Sequence, residues 1–199
     1  MSKTAVITGS GSGVGRAVAV LLNGKGWNIG LVGRRQSALE ETLGLLDQNK
    51  GDGLVCSCDI TDCEAVRSMS EKILDHYGAV QVLVNSAGFN VPKRSLKVLQ
   101  NQDYHRILDT NMNGAFYCVQ AFLPFMRFAG EGTIVNVISD AGKFANAKAG
   151  VGYVVSKFGL SGLTQSINLE ESENGIRATA VFPGDIDTPF LKQRPTPPT

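Results

Sequence analysis

Short runs of β-branched and aliphatic residues alternate along the chain with longer stretches whose apolar positions recur at helical spacing. Thr4–Ile7 predicts a first strand. The stretch Val14–Asn23 then predicts a helix with Val18, Leu21 and Leu22 on one face, stopped by Gly24 and Gly26. Asn28–Val32 predicts a second strand and 37–48 a second helix. After a third strand at Leu54–Ser57, Thr61 or Asp62 is placed to cap a helix carrying Ala65, Val66, Met69, Ile73 and Leu74 at i, i+3, i+4 spacing. Val80–Val84 follows as the fourth strand. A long helix is expected over Asp103–Arg127, with Pro124 as a weak point near its end. Thr133–Ile138 predicts the fifth strand, Tyr153–Glu170 a further helix and Arg177–Phe182 the sixth strand.

Near-continuous apolar strands separated by helices imply a parallel sheet covered on both faces. Right-handed crossovers then give a doubly wound, Rossmann-type α/β fold. A length of 199 residues fits one domain of roughly 100–200 residues, with no linker or internal repeat. The segment Lys192–Thr199 is polar and Pro-rich and is expected to be loosely held.

Composition narrows the classes of function. With 43% hydrophobic and 19% charged residues the chain has the means to bury a core. Lys plus Arg number 19 against 18 for Asp plus Glu, and a net charge of +1 gives no field for nucleic acid or an acidic membrane. No apolar run approaches a bilayer-spanning length, and the first ten residues, MSKTAVITGS, do not read as a signal peptide. A cytoplasmic location is the expectation. Cys56, Cys58 and Cys63 lack zinc-knuckle spacing and have no nearby His, so no metal site is expected.

The 23 glycines cluster. After the first strand comes Thr8-Gly9-Ser10-Gly11-Ser12-Gly13-Val14-Gly15, and a helix opens at once. Glycines let the backbone turn tightly and let a pyrophosphate approach the amides of a helix N-terminus, where the dipole favours negative charge. An ordinary tight turn is the other reading, but the position at the head of an alternating fold favours a dinucleotide. The second strand runs into Gly33-Arg34-Arg35, at the place where NAD binders carry an acid and NADP binders an arginine. A guanidinium can grip a 2′-phosphate through two hydrogen bonds, against the alternative of a solvated basic loop. NADP(H) is therefore expected over NAD(H).

Tyr153 and Lys157 stand at i, i+4, about 6 Å apart along one helical face. A free phenol titrates near pH 10, too high for efficient acid–base work at neutral pH, and a neighbouring ammonium lowers it. Alone, such a pair occurs on many helix surfaces.

The glycine loop resembles the T-G-x-x-x-G-x-G motif of the short-chain dehydrogenase/reductase family, with Thr8, Gly9, Gly13 and Gly15 at the motif positions. Five further motifs agree in order and place: Asp59 after the third strand, Asn85-Ser86-Ala87-Gly88 (with Ser86 for the family's second Asn), Asn111 in the long helix, Ser139 lying 14 residues (153 − 139) before Tyr153-x-x-x-Lys157, and Pro183-Gly184-Asp185-Ile186-Asp187-Thr188. The resemblance implies catalytic roles for Asn111, Ser139, Tyr153 and Lys157. It also implies cofactor contacts from Gly9, Ser10, Ser12, Gly13, Val14, Gly15, Arg34, Arg35, Asp59 (to the adenine, a helix cap being the alternative), Ile60, Asn85, Ala87, Gly88, Tyr153, Lys157 (to the nicotinamide ribose), Pro183, Gly184, Ile186 and Thr188. The implied reaction is NADPH-dependent carbonyl reduction or the reverse oxidation of a secondary alcohol, on a small-molecule substrate.

The resemblance implies a homodimer or homotetramer through the two long helices, with Phe116, Tyr117, Phe122 and Phe125 as interface candidates or as core. Members of the family usually run longer, so the expected seventh strand and last helix have no sequence here, and 189–199 is expected to be the loose start of a substrate loop. The edge of the sixth strand would then need a cover. A second expectation is an NADP(H)-binding sensor or assembly protein without turnover. A dehydratase or epimerase on the same fold is a third, weaker because those chemistries rearrange the Tyr and Lys surroundings.

Overall fold

All five residues of β1 (Thr4–Thr8) are buried, as a strand must be when helices cover both faces of its sheet. β2 (Asn28–Gly33) flanks it on one side and β4 (Val82–Asn85) on the other, both parallel, with Ile7 opposite Leu31 and Val84. β3 (Gly53–Ser57), β5 (Gly132–Val137) and β6 (Ile176–Val181) complete a six-stranded sheet in the order β3-β2-β1-β4-β5-β6. The computed structural model describes residues 2–191; the tail at 192–199 expected to be loose lies outside them. The doubly wound α/β expectation holds, with strand ends shifted by one or two residues.

Alternation along β1 sends Ala5 and Ile7 to one face and Val6 to the other. On the first face α1 (Gly13–Asn23) and α2 (Gln36–Leu43) pack over Ile29, Leu31 and Leu39. On the second, α3 (Cys63–Tyr77) and α5 (Gly114–Ala129) close over Ile73, Leu83, Phe122 and Ile134, joined by Ile167 of α6 (Val151–Glu171). Among the described residues no helix is long and apolar enough to cross a membrane.

Three sequence expectations change. α1 turns Gly15, Ala19 and Asn23 inward, and Leu21 is 60% exposed. Small residues face the sheet because the helix starts tight against its own loop; a Cβ on Gly15 would lie 2.6 Å from Gly9 O. α2 ends at Leu43 rather than 48 because Gly44 caps it, and Asn23 Oδ1 then draws the chain toward α1 by accepting from Asp47 N. The long helix expected over Asp103–Arg127 is broken, although not at Pro124. It runs as α4 (Asn101–Leu108), a π-helical turn over Asp109–Asn113, and α5. Pro124 and Gln120, the residue whose carbonyl loses its partner, are both exposed, where one lost intrahelical bond costs little, and the helix continues. Phe122, an interface candidate, is core at 1% exposure, whereas Phe116 and Phe125 are exposed.

β6 lies at the sheet edge. Val181 O accepts from Ile138 N, so alternate residues face β5 and Ala178 faces outward. There Asn168 of α6 donates through Nδ2 to Ala178 O at 2.8 Å and accepts at Oδ1 from Ala178 N at 2.7 Å. At α3 the sequence left Thr61 or Asp62 as the cap, and Asp62 takes the role, with Oδ1 accepting from Glu64 N at 2.9 Å and Ala65 N at 3.1 Å. Asp62→Ala is expected to lower stability by about 1 kcal/mol in urea denaturation, without changing the denaturant slope; an unchanged midpoint would show that α3 does not depend on this cap.

Candidate active site

The carboxyl ends of β1 and β4 meet in backbone contact. Thr8 Oγ1 accepts from Ser86 N and Ala87 N, each at 3.1 Å, and a Cβ on Gly9 (φ +68°) would fall 2.8 Å from Ala87 Cα. Only glycine fits there. Above this junction, at the point where the strand order reverses, opens a cavity of about 950 Å³. Gly9, Gly11, Ser12, Gly13 and Val14 line one end. Ser12 makes no side-chain cap bond to α1 and the first turn carries no acid, so the helix amides face the cavity uncompensated. Gly13 (φ +53°) looks across at Thr188, whose side chain a Cβ there would touch at 3.5 Å. These features fit a pyrophosphate-bearing group. Ser10, Gly15 and Asn85 lie outside the lining. Ser10 Oγ bonds Val32 O, Gly15 packs on Gly9, and Asn85 Nδ2 donates to Asn136 Oδ1 at 2.9 Å.

Arg34 and Arg35 are exposed on the cavity's lip at the end of β2, and neither forms an ion pair among the described residues. Asp59 lines the same end and is not the cap of α3; its Oδ1 accepts from Thr61 N and Thr61 Oγ1. Ile60 touches the cavity but is mainly core, pressed against Gly114.

At the centre stand Tyr153 and Lys157, both in the lining, on the first two turns of α6. Lys157 is 3% exposed and donates to Val137 O at 2.9 Å, and its Nζ lies 5.5 Å from the Tyr153 ring centroid. Burial pushes its pKa down from the usual 10.5 to about 8. Gly88 leaves room for that ammonium: a Cβ would come within 3.7 Å of Nζ and 3.3 Å of Asn111 Oδ1. Asn111, buried in the π-helical turn, is behind the cavity wall. It accepts from Phe89 N at 2.9 Å and donates to Phe89 O at 3.0 Å and Ser156 Oγ at 3.2 Å. Ser156 Oγ in turn donates to Tyr153 O at 2.8 Å, which ties Asn111 to the helix turn bearing Tyr153.

Ser139 lines the cavity, but its hydroxyl is turned to its neighbour, donating to Asp140 Oδ1 at 2.7 Å and accepting from Ala141 N at 3.2 Å. Pro183, Gly184, Ile186 and Thr188, after β6, also line the cavity, and Asp140 N donates to Pro183 O at 3.0 Å. The Phe190 ring lies 5.9 Å from that of Tyr153, tilted by 39°. Among the lining residues that sequence reasoning did not assign are Asp140 and the buried Arg94. Asp140 had a signal, standing beside Ser139. Arg94 had none, lying in an irregular loop with no motif. Among the described residues no three His, Cys, Asp or Glu side chains gather to hold a metal ion.

The short chain dehydrogenase family profile matches residues 3–198. A 3beta-hydroxysteroid dehydrogenase of Mediterraneibacter gnavus is 33% identical over 193 residues, covering 96% of this chain and 68% of that protein. A 3-oxoacyl-[acyl-carrier-protein] reductase of Staphylococcus aureus is 31% identical over 188 residues, covering 94% and 75%. The crystal structure of an alcohol dehydrogenase from the archaeon Thermococcus sibiricus, complexed with 5-hydroxy-NADP, superposes with a TM-score of 0.88 at 29% identity, covering all of this chain and 83% of that one.

The buried Lys157 makes a pH prediction. Its folded-state pKa of about 8 lies below the usual 10.5, so between these values the unfolded chain binds more protons and stability rises with pH. Lys157→Met is expected to be more stable than the wild type at pH 7, and the gap should close toward pH 10 with a limiting slope of about 1.4 kcal/mol per pH unit. Urea midpoints of both proteins across that range check it; a constant gap would place the proton elsewhere.

Proposed function

This chain belongs to the short-chain dehydrogenase family, and we propose that within it the protein is an NADP(H)-dependent oxidoreductase interconverting a carbonyl compound and a secondary alcohol. The observation that carries this reading is that Tyr153 and Lys157 line the same cavity as the glycine loop and the uncapped start of α1. The cofactor, when bound, supplies or takes the hydride. The α1 amides and the glycine loop hold its pyrophosphate, and Arg34 and Arg35 hold the 2′-phosphate. Asp59 accepts from the adenine amino group.

Tyr153 donates its phenolic proton to the carbonyl oxygen during reduction and takes it back in the reverse direction. Lys157 is charged below pH 8, and its ammonium favours the phenolate left on Tyr153. Ser139 supports the substrate oxygen once its hydroxyl swings from Asp140. Asn111 acts by fixing Phe89 and, through Ser156, the turn bearing Tyr153. The Ser139–Asp140 bond favours a second reading, cofactor binding without turnover, but the complete set of Asn111, Ser139, Tyr153 and Lys157 speaks for chemistry. Exposed Phe116, Phe125 and Phe158 on α5 and α6 support self-association through these helices.

NADPH oxidation with a panel of ketones, quinones and β-ketoacyl thioesters tests the reading. Tyr153→Phe is expected to lower turnover by about 10²- to 10⁴-fold while NADPH titration remains near wild type; near-normal turnover would remove Tyr153 from its role. Arg34→Asp should lower the preference for NADPH over NADH by about tenfold or more. A wild type that uses NADH equally well would refute the assignment of NADP(H).

A further inference from the structure

Ser139 and Asp140 are consecutive residues and both line the cavity. Asp140 opens a single helical turn, Asp140–Gly142, that is tied down at both ends. Its N–H donates to Pro183 O at 3.0 Å, and its C=O accepts from Lys143 N at 2.9 Å and Phe144 N at 3.1 Å. Ser161 Oγ of α6 donates to Gly142 O at 3.1 Å, and a Cβ on Gly142 would stand 2.9 Å from Lys157 O. On this turn Asp140 Oδ1 accepts from Ala141 N at 2.8 Å and from Ser139 Oγ at 2.7 Å. The fold therefore holds a carboxylate against the hydroxyl placed to meet the substrate oxygen.

An ionised carboxylate only accepts, so the single hydroxyl hydrogen of Ser139 is the one committed to this contact. One lone pair of Ser139 Oγ takes Ala141 N at 3.2 Å. What Ser139 offers a molecule in the cavity is then a lone pair and no hydrogen. A secondary alcohol, whose O–H donates, meets an acceptor. A ketone, whose oxygen only accepts, meets a second acceptor until the hydroxyl leaves Asp140. A hydrogen bond to a charged group is roughly twice as strong as a neutral one, so exchanging Asp140 for a ketone oxygen is unfavourable. We infer that Asp140 is a positioning residue which, by holding the Ser139 hydrogen, makes the site bind the alcohol of a substrate pair in preference to its ketone. This rests on the oxidoreductase reading and deepens it, because it names the member of the pair for which the resting site is set.

The overall equilibrium fixes the ratio of kcat/KM in the two directions, so the bias is read in dissociation constants. Ethyl acetoacetate and cyclohexanone are titrated into the protein with NADP⁺, and ethyl 3-hydroxybutyrate and cyclohexanol into the protein with NADPH. No hydride can pass within these combinations. Asp140→Ala leaves only water to compete for the Ser139 hydrogen. For at least one pair the ketone Kd is expected to fall on the order of tenfold, while the alcohol Kd stays within about twofold or rises. Asp140→Asn keeps the shape and an acceptor for Ala141 N but removes the charge, so it should give part of the shift, and it reads the contact if Asp140→Ala fails to fold. In a Ser139→Ala background neither Asp140 substitution should move any constant by more than about twofold, because the hydrogen being held is gone. The carbonyl stretch of the bound ketone should also drop in frequency in Asp140→Ala, as a donated hydrogen bond weakens the C=O. Ketone and alcohol shifting alike, or a shift that persists without Ser139, would make Asp140 a residue of the fold and overturn the inference. A selective, Ser139-dependent shift with no turnover in the productive combinations would leave it standing and sink the oxidoreductase reading. Turnover with ketone constants unchanged in both Asp140 variants would overturn the inference alone, and binding of none of the four compounds would likewise overturn it.

Discussion

At the junction of β1 and β4 a single hydroxyl satisfies two backbone amides. Thr8 Oγ1 accepts from Ser86 N and Ala87 N and donates to Val84 O at 3.4 Å. That contact holds the two strand ends at a separation only a glycine at position 9 permits. Because chain connections leave in opposite directions from this point, the crevice above it is a consequence of topology, and its floor is rigid backbone. Every group in the cavity is placed relative to this floor: the α1 amides by Gly13 and Gly15, Lys157 by the space over Gly88, and Ser139 by the end of β5.

Beneath the floor runs a chain of polar side chains. Asn85 Nδ2 donates to Asn136 Oδ1, Asn136 Nδ2 to Thr164 Oγ1 at 2.8 Å, and Thr164 Oγ1 to Leu160 O at 2.8 Å. It joins β4, β5 and α6, the three elements that position Gly88, Ser139 and Tyr153. Asn85 Oδ1 is buried with no hydrogen-bond partner among the described residues. A second chain, from Phe89 through Asn111 and Ser156 to the backbone of Tyr153, anchors the same helix from its other side. Lys157 sits between the two, almost wholly desolvated, with its ammonium bonded to Val137 O. Burial lowers its pKa to about 8.

The strands and the glycine loop were legible in sequence because their signals are local. β-branched runs bounded by turn residues mark buried strands, and the Thr8–Gly15 stretch marks a helix start. The Asp62 cap was also local, although its choice over Thr61 needed geometry. What sequence missed depends on contacts between distant segments. The π-helical turn at Asp109–Asn113 exists because Asn111 reaches inward to Phe89, a pull that no helical periodicity encodes. Pro124 suggested a break because its ring removes a hydrogen bond, but only burial would have made that loss expensive. Leu21 appeared to share the inner face because periodicity does not reveal how closely Gly15 brings α1 to its loop. Arg94 was invisible because the glycine that makes room for it stands far along the chain at position 150.

The amide of Asn168 has a consequence for growth of the sheet. By bonding both the N–H and the C=O of Ala178 it occupies the groups that a further strand would pair with at this position. Any polypeptide approaching this rim meets its midpoint already occupied, so a ladder can propagate there only by evicting the side chain and replacing both bonds. Fibrillar stacking through a single exposed register is thereby discouraged, while a cognate segment able to match the vacated partners would find the rim already shaped for it.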